Sequence, residues 1–159
     1  MFRLLEEAGK KDGARLAFQT SHTLTYESNV DQVQTKDGAV ATAGGVTCSM
    51  SIEALSSNDP LNEMLKDAAI NGKELECWIV DLNENTTGNK YKAEYCRGVL
   101  ENWEVPSEAE GVETFSTSFK ISGIPQKGEV ELSEDQAAQV SYVFRDTKKV
   151  TGAGVGGPG

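Results

Sequence analysis

Apolar and polar residues alternate with period two over residues 46–55. Val46, Cys48, Met50 and Ile52 point one way, and Thr47, Ser49, Ser51 and Glu53 the other. Period two predicts a strand with one buried face. Residues 113–122 repeat the pattern, with Phe115, Thr117, Phe119 and Ile121 opposed by Thr114, Ser116, Ser118 and Lys120. Residues 73–82 carry apolar side chains on both faces, Leu75, Cys77 and Ile79 against Trp78 and Val80, which predicts a strand covered on both sides. Residues 91–105 read as a long strand with a bend or bulge at Gly98, and 129–132 as a short extended stretch. Near the start, Asp12-Gly13 is a turn signal, and 15–20 with 23–26 predict an opening hairpin.

Helical spacing occurs twice. Asp59-Pro60 supplies a cap and a first-turn proline, Leu61, Met64, Leu65 and Ala68 fall on one face, and Asn71-Gly72 closes the segment. Ser133 with Gln136 matches a capping box ahead of Ala137, Val140 and Phe144, a second short helix. Residues 27–44 have almost no apolar content and predict a long loop or arm, as do 83–89 a polar turn. From Thr147 the chain turns basic and then glycine-rich, so 151–159 read as a flexible tail after a single domain over 1–150. The sum is mainly β (α+β). A two-sheet β-sandwich or flattened barrel, with one flanking α-helix and a short C-terminal helix, satisfies the pattern.

With 159 residues the chain has the size of one ordinary domain and needs neither metal nor disulfide to bury a core. The formal net charge of -10 disfavours a basic face for duplex DNA or anionic lipid. It suits plain solubility first, and permits a conduit that must let phosphates slide. The three cysteines, Cys48, Cys77 and Cys96, are odd in number and widely spaced, which predicts reduced core thiols. The N-terminal apolar run is too short for a signal peptide, and no stretch nears a membrane span, so a soluble protein of a reducing compartment is expected.

Candidate chemistry is sparse. The one histidine, His22, sits between Ser21 and Thr23, where a strand or turn role outweighs a catalytic one. One histidine and scattered cysteines make no transition-metal set, and no calcium loop or phosphate-binding glycine motif occurs. Glu101, Glu104, Glu108, Glu110 and Glu113 read as a solvated loop, and Asn85-Thr86-Thr87 as a polar turn despite its sequon form. No enzyme and no cofactor is expected.

The words Leu16-Ala17-Phe18-Gln19-Thr20, Thr35-Lys36-Asp37-Gly38 and Ala43-Gly44-Gly45 come first. Trp78-Ile79-Val80-Asp81, Lys90-Tyr91-Lys92-Ala93-Glu94-Tyr95, residues 123–126 and Tyr142-Val143-Phe144 follow in order. Together they resemble the major tail protein family, the tail tube proteins of long non-contractile-tailed bacteriophages of Gram-positive hosts. The resemblance spans the chain to about Val150. Family members carry several residues ahead of the equivalent of Phe2-Arg3-Leu4-Leu5, so the first strand is expected to be incomplete.

The resemblance implies a tail-tube-like subunit of the virion, assembled in the host cytoplasm. Six copies would form a ring, rings would stack into a hollow tube, and DNA would pass through the lumen without specific binding or any membrane. Tape-measure, tail terminator and distal tail proteins are the implied partners besides further copies of the chain. On that scheme the candidate lumen-facing residues are Thr47, Ser49, Ser51, Glu53, Thr114, Ser116, Ser118 and Lys120. Asn29, Asp31, Gln32, Gln34, Lys36 and Asp37 belong to the candidate assembly arm, and Lys148 and Lys149 to the candidate tail contacts. The alternative is a monomeric β-sandwich binding module of adhesin or carbohydrate-binding type, which would need several exposed aromatics.

Overall fold

A computed structural model describes residues 1–107 and 111–140. Its strands are β1 (Phe2–Leu4), β2 (Gln19–Thr35), β3 (Gly38–Leu55), β4 (Leu75–Thr87), β5 (Lys90–Leu100), β6 (Thr114–Ile121) and β7 (Gln126–Glu131). Helix α1 (Pro60–Asn71) joins β3 to β4, and α2 (Glu134–Val140) follows β7. Neighbouring strands run β1-β4-β5-β6-β3-β2, all antiparallel, with β7 added to β5.

The order looks linear but the sheet folds back on itself. One edge of β5 pairs with β7 over Lys90 to Tyr95 and with β6 over Gly98 to Leu100, so this strand belongs to two layers. The first layer holds β1, β4, β5 and β7. The second holds β6, β3 and β2. Phe2 of β1 meets Phe119 of β6 edge-on at 6.0 Å between ring centres, although three pairings separate them along the sheet. Between the layers lie Cys48, Met50, Ile52 and Ala54 of β3, Phe115 and Phe119 of β6, Leu75 and Cys77 of β4, and Leu61, Leu65 and Ala68 of α1. This is the flattened sandwich that the alternation predicts.

Local signals act as expected at both helices. Asp59 Oδ1 accepts from the Leu61 amide at 3.2 Å, Pro60 opens α1, and Gly72 closes it at φ 62°. Ser133 and Gln136 exchange the two hydrogen bonds of the capping box at 2.9 and 3.2 Å. Glycine is required at Gly98 for a reason other than a bend. A Cβ there would overlap the Lys120 carbonyl oxygen of the neighbouring strand β6.

Three readings are corrected. Residues 15–26 do not form a hairpin: β2 begins at Gln19 and runs unbroken to Thr35. Residues 27–44 are not a loop but the outer half of a long two-stranded ribbon, in which Val30 to Thr35 pair with Ala43 to Gly38. Residues 83–87 likewise continue β4, and only Gly88 and Asn89 make the turn. In the last two places main-chain pairing carries the structure without a buried apolar face, so period two gave no contrast to read.

A polar clamp fixes the start of the chain to the first layer. Arg3 Nε donates to Glu76 Oε2 at 2.7 Å, its guanidinium lies 4.9 Å from the Trp78 ring centre, and Tyr95 donates to Glu76 Oε1 at 2.8 Å. Glu76 is 6% exposed and fully satisfied. Burial, and then the hydrogen bond to Glu76, push the Tyr95 phenol up from 10.0 to about 12.

Two outcomes follow from these contacts. Gly98→Ala should cost about 3 kcal/mol or more, read as a lower denaturation midpoint, because main chain and not a flexible side chain blocks the space. Tyr95 should ionise near 12, checked by the difference in alkaline absorbance titration between the protein and Tyr95→Phe. The fold favours the neutral phenol. Its contribution is therefore whole below pH 10 and is lost as pH rises from 10 towards 12.

Candidate functional site

Register brings the candidate lumen residues together. In antiparallel pairing, directly opposed residues share a face. Ser21 of β2 lies opposite Glu53 of β3, which lies opposite Ser116 of β6. The next rungs are Thr23–Ser51–Ser118 and Thr25–Ser49–Lys120, with Glu27–Thr47 beyond the end of β6. Three strands thus present one face of hydroxyls turned away from the apolar layer. Its β2 and β3 members are exposed except for half-buried Ser49, while Thr114, Ser116 and Ser118 are half-buried. Thr114 stands at the margin, opposite Leu55.

Few charges interrupt this face. Glu53 accepts from Ser21 Oγ at 3.2 Å, and Lys120 pairs with Glu101 at 3.4 Å. With Glu27, that makes three carboxylates against one ammonium. The far side of β6 is held by the segment after β5. Asn102 Oδ1 accepts from the Ser118 amide at 2.7 Å, and Glu104 and Ser116 exchange main-chain hydrogen bonds of 2.9 Å. Trp103 then stacks on Phe115 at 4.2 Å. Residues 101–104 of the acidic stretch therefore brace β6; Glu108 and Glu110 lie outside the described residues.

The arm candidates all fall on the exposed end of the β2–β3 ribbon. Asp31 opposes Thr42, Gln32 opposes Ala41, and Gln34 opposes Ala39. Lys36 and Asp37 form a two-residue tip, closed by Thr35 Oγ1, which donates to the Gly38 carbonyl at 2.7 Å. Asn29 faces two residues, Gly44 and Gly45, where the register slips. This is a bulge, and a Cβ on Gly44 would come within 2.8 Å of the Asn29 carbonyl oxygen. Val30, Val33 and Val40 are more than half exposed on this ribbon. Lys148 and Lys149 lie outside the described residues.

The sequence reading missed Ser21, Thr23, Thr25 and Glu27. Their alternation with His22, Leu24 and Tyr26 was the available signal, obscured by dividing 15–26 into two strands. It also missed the consequence of their position. Strand β2 ends the sheet order, so its outer edge carries no ladder among the described residues over a strand of 17 residues. Among the described residues no group of His, Cys, Asp or Glu could hold a metal ion.

These features define a β-sandwich subunit with an open edge, and comparison with known proteins agrees. The family model described as phage tail tube protein matches residues 1–127. The chain belongs to that family, and is a structural protein of the phage tail. A putative tail protein of Staphylococcus phage phiMR25 is 29% identical over 154 residues, covering 92% of this chain and 80% of that protein. The tail tube protein of Bacillus phage SPP1 is 28% identical over 144 residues, 88% of this chain but 54% of the relative. Among solved structures, the SPP1 tail tube has TM-score 0.70 at 21% identity, covering 95% of this chain and 90% of that one. The tail of a gene transfer agent particle, refined with C6 symmetry, has TM-score 0.57 at 10% identity, over 77% of this chain and 91% of that chain. The binding-module alternative is not favoured, and both tryptophans are engaged in packing, Trp78 with Arg3 and Tyr95, Trp103 with Phe115.

Proposed function

We propose that copies of this chain join through the free edge of β2 into a closed ring, and that rings stack into a tube whose lumen is lined by the hydroxyl face. The role is structural rather than catalytic, and six copies per ring is the count we adopt from the C6 symmetry of the gene transfer agent tail. The observation that carries the reading is the 17-residue edge strand with a polar face on one side. A long unpaired edge invites another strand, and closure into a barrel removes every edge at once. A ring uses a head-to-tail contact that closes, and stacking uses one that does not.

The lining follows from the rungs. Ser21, Thr23, Ser49, Ser51, Ser116 and Ser118 are small and uncharged, and carboxylates outnumber ammonium groups. Such a wall offers DNA no row of cations to release counterions against, so the duplex is not held. The exposed ribbon beyond Asn29, with Asp31, Gln32, Gln34, Lys36 and Asp37, reaches the next ring. Residues 1–150 act as one tube domain, and Lys148 and Lys149 add contacts between subunits. Tape-measure, terminator and distal tail proteins complete the partner set.

Replacing residues 30–43 by a short turn should leave a folded monomer, read as a retained cooperative thermal transition, that forms no tubes under negative-stain electron microscopy. Tubes of normal length from that variant would reject the ribbon as the stacking element. A second variant addresses the lining. Ser49→Lys, Ser51→Lys and Ser118→Lys together should give tubes that retain duplex DNA, and the retention should weaken steeply with added salt. Tubes that bind no more DNA than before would place these residues elsewhere than the lumen.

A further inference from the structure

The residue just ahead of the free edge is held against its own preference. Phe18 directly precedes β2 and adopts φ 54°, the one non-glycine residue with positive φ among those described. Bulky side chains rarely take this conformation. The main chain fixes it, since the Leu55 amide donates to the Phe18 carbonyl at 3.0 Å. The ring is nevertheless 64% exposed, so burial within one copy does not account for the strain. Strain of this kind gathers at functional contacts.

Phe18 also borders a groove. Strands β1 and β2 end the strand order, and a cavity of about 510 Å³ opens between them. Buried Leu16 and Ile52 line it, with Ile79, Val80 and Leu82 on the first-layer side. Strand β1 pairs with β4 only over Leu75 to Cys77, short of these three residues, and Leu82 is exposed like Phe18. Residues 19–22 of β2 border the same groove, so the strand edge and the apolar lining are continuous. A small-molecule occupant would leave the main-chain groups of that edge unpaired. A strand from a second copy satisfies them and directs alternate side chains to the groove.

We propose, on the reading that β2 closes the ring, that this groove is the apolar half of the contact between ring neighbours. Side chains of the copy whose strand pairs with β2 fill it, and Phe18 is its aromatic anchor.

Asparagine tolerates the left-handed region, so Phe18→Asn should keep or raise the melting temperature of the monomer. The same variant should need about tenfold more protein to form tubes, read by light scattering and negative-stain microscopy. Leu82→Asn should raise that concentration too. In Phe18→Cys, co-assembled with an excess of the unaltered chain, the introduced thiol should react with maleimide in the monomer and be protected in tubes. The native cysteines are buried and add little background. Tubes from Phe18→Asn at the ordinary concentration, or a lowered melting temperature, would overturn the proposal. Protection already present in the monomer would do the same, because the cover would then come from the same chain. Hydrogen exchange over residues 21–27 in the same tubes reads ring closure by itself. Slowed exchange there beside an unprotected thiol would overturn the anchor alone. Unchanged exchange there would remove the β2 contact, and this proposal with it.

Discussion

The register between β3 and β6 is the constraint on which the rest depends. Met50 opposite Phe119 and Ile52 opposite Thr117 build the core, while Ser51 opposite Ser118 and Glu53 opposite Ser116 build the outer face. Because the side-chain period is two, a slip of one residue would bury the hydroxyls and expose the phenylalanines together. Core and polar face are thus one decision made by one ladder. Strand β2 then inherits the register, extending both faces by another strand.

Much of this was legible in the amino acids. Residues 46–55 and 113–122 declare themselves because apolar and polar side chains differ sharply on their two faces. The helices were legible for a different reason. Asp59, Pro60 and Gly72, and Ser133 with Gln136, are chemical solutions to unpaired main-chain groups at helix ends, and they leave a local trace. The ribbon left no such trace. Ala39, Ala41 and Ala43 opposite Gln34, Gln32 and Val30 give neither a buried face nor a propensity contrast, and their pairing is carried by main-chain hydrogen bonds. The polar face was visible as two strands. That β2 supplies a third, and that these strands are adjacent, was not, since adjacency is a property of topology and not of spacing.

Charge is arranged with the same economy. The net -10 is spread over the chain, yet the three rungs shared by β2, β3 and β6 hold only Glu53 and Lys120 among hydroxyls. Glu76, the one buried carboxylate among the described residues, is answered by Arg3 and Tyr95 and faces away from the hydroxyl surface. Acidity therefore keeps copies soluble, while the face assigned to the lumen relies on small neutral groups.

The placement of sulfur has a bearing on the particle's life outside a cell. Cys48, Cys77 and Cys96 are free and at most 4% exposed, all within the core. A covalent bridge between copies needs a sulfur that another chain can reach. None is offered here, so passage from a reducing cytoplasm into air-saturated medium introduces no cross-links between subunits. The strength of such an assembly would rest wholly on reversible contacts, the same before release as after it.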